Sequence, residues 1–245
     1  RGRMAVLPPV AELRRRLGVD GDRGEPPGLP GVRCLPGPGS AVVLLADTAA
    51  GAAWAPRRGG VLSRDEAERA ARFVFPGLGE AWTGARVLLR EVLGRATLIP
   101  AADVRIRVGE FGKPSVDGVE FSLSHTGSVV LIGLGDLPLG VDVEKIPEER
   151  TVDQVGSSFH PRETAELLGL PAEDRPGAFA RVWVRKEALH KAIGTGLSRG
   201  ISRDYVGTGT VPGTPVSGLR IHDVALPGLP GHRAALCTTA AAAVP

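Results

Sequence analysis

Two short stretches of this chain hold side chains that do chemistry in concert. The first is Trp183-Val184-Arg185-Lys186-Glu187-Ala188-Leu189-His190-Lys191, and the second is Asp142-Val143-Glu144, about forty residues upstream. The downstream stretch reads as helix, so Glu187 and Lys191, four apart, share one of its faces. The upstream stretch reads as strand, so Asp142 and Glu144, two apart, share one side of it. If helix and strand cross, three carboxylates and an ammonium group converge. Hard oxygen donors beside a cation suit Mg²⁺ on a polyphosphate.

Each part also has an ordinary reading. Asp142 and Glu144 fit the outer face of a half-buried strand with Val141 and Val143 turned inward. Glu187 and Lys191 fit an exposed ion pair worth a few tenths of a kcal/mol, about 0.3–0.5. Against that, two acids on one strand face repel each other, which a cation relieves. Lys186, Glu187, His190 and Lys191 also crowd a segment anchored by Trp183. Phe121 to Gly127 ends a strand in a Ser124-His125 turn, where hydroxyls bond the backbone or meet a ligand. No Gly-x-Ser-x-Gly elbow accompanies it, which argues against a serine hydrolase. Gly112-Lys113-Pro114 holds a lysine in a stiff loop but lacks the rest of a P-loop.

The elements that must position these residues follow from patterning. Ala41 to Ala46 reads as a buried strand. Ser63 and Glu66 form a capping box opening a helix that runs to about Phe75, and Pro76-Gly77 breaks it. A second helix covers Glu80 to Arg95, with apolar residues at helical spacing. Strands are expected at Val104–Val108, Val119–Leu123, Val129–Leu134 and Leu139–Val143. A short helix over Pro161–Leu168 and a longer one over Gly177–Ile193, ended by Gly194 and Gly196, follow. Strands at Leu219–Val224 and Arg233–Leu236 close the pattern. Helices and strands are partly segregated, which predicts an α+β fold. Their order hints at two similar, pseudo-symmetric halves, each a small antiparallel sheet packed with helices. The halves would cover about 40–138 and about 139–238 of a single unit, 1–245. The Gly/Pro-rich residues 24–40 read as loop, and residues 1–39 as a Gly/Pro-rich leader whose structure the sequence does not determine.

Composition narrows the classes. Charged residues make up 23% and hydrophobic residues 42%, the balance of an ordinary soluble protein. A net charge of +3 leans towards anionic partners. Long Lys/Arg blocks are absent and aromatics are only 4%, which argues against nucleic acid. No apolar run approaches the roughly 20 residues of a membrane span. The two cysteines, Cys34 and Cys237, lack neighbouring ligands, so neither a disulfide framework nor a zinc site is expected, and a reducing cytoplasm is. Arg1-Gly2-Arg3 read as residues ahead of a natural start at Met4, and Ala240–Ala243 as a frayed end.

In this order, the segments resemble the surfactin-type 4′-phosphopantetheinyl transferases. The family signature is matched by Gly112-Lys113-Pro114, Ser124-His125-Thr126-Gly127, Gly140-Val141-Asp142-Val143-Glu144 and Trp183 to Lys191, followed by Gly196-Leu197-Ser198. The resemblance covers about residues 61–206. It implies transfer of the phosphopantetheine arm of coenzyme A to a serine of an acyl or peptidyl carrier protein, releasing 3′,5′-ADP. It further implies a monomer with coenzyme A between the halves and Mg²⁺, or Mn²⁺ in its place, held by Asp142, Glu144 and Glu187. Lys191 would neutralise the pyrophosphate and protonate the leaving group. Ser124 and His125 would contact nucleotide phosphates, Gly112, Lys113 and Pro114 would border the adenine, and Lys186 would join the coenzyme contacts. Arg86 and Arg69 match positions that hold the 3′-phosphate. Glu187 is the candidate base, directly or through a water. The chain departs from the pattern at Val184, where relatives often have Ser or Thr, and at Glu66, where some carry Lys; its first sixty residues have no match. Two other readings of the same acids are a metal-dependent hydrolase of nucleotide pyrophosphates and a relative that only binds coenzyme A or a carrier protein.

Overall fold

A run of buried apolar residues at helical spacing makes the longest helix, and the chain wraps a sheet against it. The computed structural model describes residues 7–19, 24–54, 60–149, 152, 154 and 156–240, the side chains of 197 and 198 excepted. Residues 1–4 and 241–243, read above as a start and a frayed end, lie outside them. The chain divides into two units: Arg1–Arg107 with Pro114–Asp136, and Val108–Lys113 with Leu137–Pro245. Both combine antiparallel sheet with helices, the α+β class expected from the sequence.

The first unit contains α1 (Val10–Leu17), β1 (Val32–Leu35), β2 (Val42–Asp47), α2 (Thr48–Trp54), α3 (Arg64–Ala71), α4 (Pro76–Thr97), β5 (Glu120–Thr126) and β6 (Val129–Gly135). Two short strands, β3 (Arg107–Val108) and β4 (Pro114–Ser115), lie between α4 and β5. The sheet runs β1-β2-β6-β5, antiparallel throughout, with Leu44 opposite Ile132 and Phe121 opposite Leu134. Every residue of β6, one of the two inner strands, is buried. Leu88, Leu89, Val92 and Leu93 of α4 join Leu13 and Leu17 of α1 and the sheet's inward residues in one core.

Several expectations are corrected here. Pro76 does not break a helix but starts one, because the first turn leaves its N–H groups unpaired and proline lacks the group that would be orphaned. The preceding helix stops at Ala71, short of Phe75. Of Val104–Val108, only Arg107–Val108 is strand. Residues 24–40 are not all loop, since Val32–Leu35 pairs along β2. Within residues 1–39, Val10, Leu13 and Leu17 bury one face of α1.

The capping box is present as read. Ser63 Oγ accepts from Glu66 N at 3.3 Å, and Ser63 N donates to Glu66 Oε2 at 2.8 Å. Glu66 has a second task. Its two oxygens accept from Arg86 Nε and Arg90 Nε, each at 2.5 Å, which ties α3 to α4.

The second unit contains β7 (Leu139–Lys145), α5 (Pro161–Leu168), α6 (Arg175–Ile193), β8 (Leu219–Asp223) and β9 (His232–Thr239). Its sheet runs β7-β9-β8, antiparallel, with Val141 opposite Leu236 and Asp223 opposite Ala235. Helix α6 packs on it through Val182, Val184, Ala188 and Leu189. Trp183 anchors the other flank, stacking on Phe179 with centroids 6.1 Å apart. Gly194 stops the helix in the left-handed region, φ 80°, its N–H bonding His190 O. Among the described residues no helix is long and apolar enough to cross a membrane.

Burial pushes the Glu66 carboxyl up, but Arg90, the Ser63 N–H and Arg86 outweigh it and hold it below the ordinary carboxylate range. A depressed folded value means that the stabilisation is present above the ordinary range and is lost as pH falls through the depressed one. Glu66→Gln should therefore cost about 3–5 kcal/mol at neutral pH by stranding the buried Arg90. Urea unfolding should show the gap to wild type closing on acidification; an unchanged gap would contradict the role given to Glu66.

Candidate active site

Residue types at two crossing points make the site. On β7, Gly140, Asp142 and Glu144 share one side of the strand. A Cβ on Gly140 would lie 2.1 Å from Ala188 O and 2.8 Å from Lys191 Cβ, so this side of β7 rests directly on α6. The acids therefore face the helix, not an outer surface. Val141 and Val143, on the opposite side, are fully buried. Alanines at 188 and 192 and the glycine at 140 together allow backbone to approach backbone.

Asp142 is 2% exposed. Its Oδ1 accepts from Lys191 Nζ at 2.7 Å, and the same ammonium donates to Val141 O at 3.1 Å. Lys191 thus turns to the strand instead of forming the exposed pair with Glu187. Glu187 is half-buried, and its Oε1 is buried without a hydrogen-bond partner among the described residues. Burial pushes the Glu187 carboxyl up, the Asp142 charge pushes it further, and Lys191 only partly offsets them. Two carboxylates and one ammonium thus act on one another here. Glu144, half-buried, follows on the same face of β7.

The arrangement fits a cation, since two like charges and an orphaned buried oxygen gain from one. Asp142 and Glu187 are the donors that fit it. Among the described residues no three His, Cys, Asp or Glu side chains gather closely enough to hold a metal ion, so Glu144 does not complete a cluster of three.

The neighbouring cations of α6 have other work. Lys186, expected among the coenzyme contacts, is 1% exposed, with Nζ 2.7 Å from Glu163 and 2.5 Å from Asp204 O. Its ammonium is spent inside the unit. Arg185 is fully buried and bidentate on Asp223, at 2.7 and 2.6 Å, and also donates to the carbonyls of Val206, Gly207 and Gly209. Glu163 accepts from the N–H groups of Val206 and Gly207. Arg199 grips Asp204 at 2.6 and 3.0 Å. These residues fasten α5 and segment 204–209 to α6, and they escaped notice in the sequence. Only Glu163 had a signal: Pro161 followed by Glu163 opens a helix with a capping box on His160. His190, 2% exposed, is held below the ordinary imidazole range by burial, with Asp204 opposing and Lys186 and Arg199 adding.

The remaining candidates fall as follows. Gly112 takes φ 79° in an exposed turn, Lys113 Nζ donates to Leu139 O at 3.3 Å, and Pro114 opens β4. In the first unit, Ser124 is buried on β5 and His125 beside it is exposed. Arg69 and Arg86 both lie over the Trp82 ring, 5.5 and 6.0 Å from its centroid. Arg86 is bound to Glu66, whereas Arg69 is exposed. The acid at position 66 thus engages one of the two expected phosphate-binding cations.

Comparison with known proteins bears out the resemblance read from the motifs. Residues 138–211, which hold Asp142, Glu144, Glu187 and Lys191, match the model of the 4′-phosphopantetheinyl transferase superfamily. The chain is 32% identical over 146 residues to the 4′-phosphopantetheinyl transferase HetI of a Nostoc species, covering 56% of this chain and 62% of that protein. It is 27% identical over 140 residues to the transferase Sfp of Bacillus subtilis, with 56% and 62% covered. It is 31% identical over 112 residues to the transferase gsp of Aneurinibacillus migulanus, with 45% and 47% covered. The matched region thus spans less than two thirds of each of these relatives.

Two outcomes follow from the geometry. Gly140→Ala should destabilise the protein by about 1–3 kcal/mol or more, because the methyl group meets the helix backbone and the rigid root of a side chain; urea unfolding measures this, and an unaltered midpoint would contradict the close approach. A raised Glu187 value means that its ionisation costs stability at neutral pH. Glu187→Gln should therefore raise the thermal midpoint of the metal-free protein at pH 7 and leave it unchanged at pH well below the ordinary carboxylate range. A lower midpoint at pH 7 would overturn the assigned environment.

Proposed function

We propose, from the likeness to the surfactin-type 4′-phosphopantetheinyl transferases, that this protein moves the 4′-phosphopantetheine moiety of coenzyme A to a serine of an acyl or peptidyl carrier protein. The serine oxygen forms a bond to the pantetheine-side phosphorus of the pyrophosphate. The bond from that phosphorus to the bridging oxygen breaks, and 3′,5′-ADP leaves. The single observation that carries the reading is the meeting of Asp142, Glu187 and Lys191 where β7 crosses α6.

Each of these side chains has a distinct task. Asp142 and Glu187 would hold Mg²⁺, which when bound offsets the charge of the pyrophosphate. Lys191 sits on a half-buried stem between strand and helix, so its ammonium can pass from Asp142 to a pyrophosphate oxygen and later give a proton to the departing phosphate. Glu187, with its proton affinity raised by burial and by Asp142, is suited to take the serine proton, directly or through a water. Ser124, His125, Lys113 and Arg69 match positions that contact the nucleotide in the family, and their roles rest on that resemblance alone. Phosphoryl transfer of this kind depends on positioning and charge neutralisation, which is what the set offers.

A carrier protein incubated with this protein, coenzyme A and Mg²⁺ should gain the mass of phosphopantetheine. Asp142→Asn should lower the rate at least about a hundredfold while the far-ultraviolet circular dichroism stays unchanged. Full activity in that variant would remove Asp142 from the reaction, and release of free phosphopantetheine without carrier would turn the reading to hydrolysis.

A further inference from the structure

We infer that the second unit carries an anion-binding pocket of its own, built by Arg181 and Arg233, that takes a small organic anion with a carboxylate or phosphate head and an apolar body. The pocket lies where the start of α6 meets the hairpin joining β8 to β9, and has a volume of about 280 Å³. That is just below the roughly 300–1,000 Å³ typical of small-molecule sites. Its lining shares no residue with the Asp142, Glu187 and Lys191 group, and the inference does not rest on the transfer reaction.

Charge makes the argument. Asp223 is the only acid in the described lining, and Arg185 behind the wall already takes both of its oxygens. Arg181 keeps only a 4.0 Å approach to Asp223 and a 2.7 Å bond to Thr208 O. Arg233 Nη1 donates to the carbonyls of Pro230 and His232, and among the described residues Arg233 makes no ion pair. Glu144 lies opposite Arg233 in the strand register but outside the lining. Two guanidinium groups thus face one cavity without a dedicated carboxylate. Their mutual cost is visible: burial lowers the Arg181 value, Arg185 lowers it further against the pull of Asp223, and Arg233 adds to the lowering. An oxyanion between them would remove that repulsion and accept charge-assisted hydrogen bonds.

Apart from His232, the rest of the lining is apolar: Val224, Leu226, Leu229 and Pro230 offer a surface for the body of the ligand. The mix of a few convergent polar groups on apolar walls is that of a small-molecule site.

Titration calorimetry at low ionic strength, with inorganic phosphate and with benzoate as probes, tests this. At least one probe should bind with a Kd of about 1 mM or tighter, and the Arg233 side-chain Nε resonance should shift in step. A preference for phosphate assigns a phosphorylated ligand, and a preference for benzoate a carboxylate on an apolar body. Arg233→Gln should weaken binding about tenfold, whereas Asp142→Asn should leave it unchanged. Failure of both probes to bind, binding untouched by Arg233→Gln, or binding lost with Asp142→Asn would each overturn the assignment.

Discussion

The site depends on one steric constraint: a strand and a helix touching backbone to backbone at Gly140. Any side chain there would lift β7 from α6 by more than an ångström. Asp142 would then lose Lys191, because their 2.7 Å contact has no slack. The same contact brings Asp142 and Glu187 close enough for each charge to act on the other. Small residues on the helix, Ala188 and Ala192, complete the seam. A short side chain at each of these positions is thus a requirement of the chemistry as much as of the packing.

Around this seam the second unit separates cations that build from a cation that can act. Arg185 and Lys186 are buried and enclosed by acids and carbonyls, and they hold segment 204–209 and α5 against α6. Removing one member of such a buried pair costs about 3–5 kcal/mol. That rigidity keeps α6 in register beneath β7. Lys191, one turn beyond Glu187, is half-buried and, among the described residues, forms its ion pair with Asp142. It retains the freedom to exchange that partner for an anionic ligand. A buried Glu187 oxygen without a donor among the described residues lies where a cation would satisfy it.

Much of this was legible from spacing alone. The Ser63 capping box, the short helix Pro161–Leu168 and strand β7 all announce themselves by local rules, because caps and alternation act over a few residues. The acids were legible too, as a two-residue and a four-residue spacing. What spacing cannot carry is direction and partner. The side of β7 holding the acids faces inward, since Gly140, not a valine, is the residue that meets the helix. Lys186 reads like Lys191 in sequence, but it is buried against Glu163, twenty-three positions upstream and on another helix. Pro76 reads as a breaker although it serves as a first-turn residue. α1 and α2 were missed because one carries Arg14, Arg15 and Arg16 in its last turn and the other is short and alanine-rich.

The claim at the centre is that Asp142 and Glu187 occupy one electrostatic site. A double-mutant cycle on the metal-free protein measures it most directly, with Asp142→Asn, Glu187→Gln and the pair compared by denaturant unfolding at pH 7. Shared occupancy predicts that the two changes interact, with the double variant departing from the sum of the singles by about 1 kcal/mol or more. Free energies that simply add, to within about 0.3–0.5 kcal/mol, would mean that the two carboxylates do not sense each other, and the account of the site would fail with them.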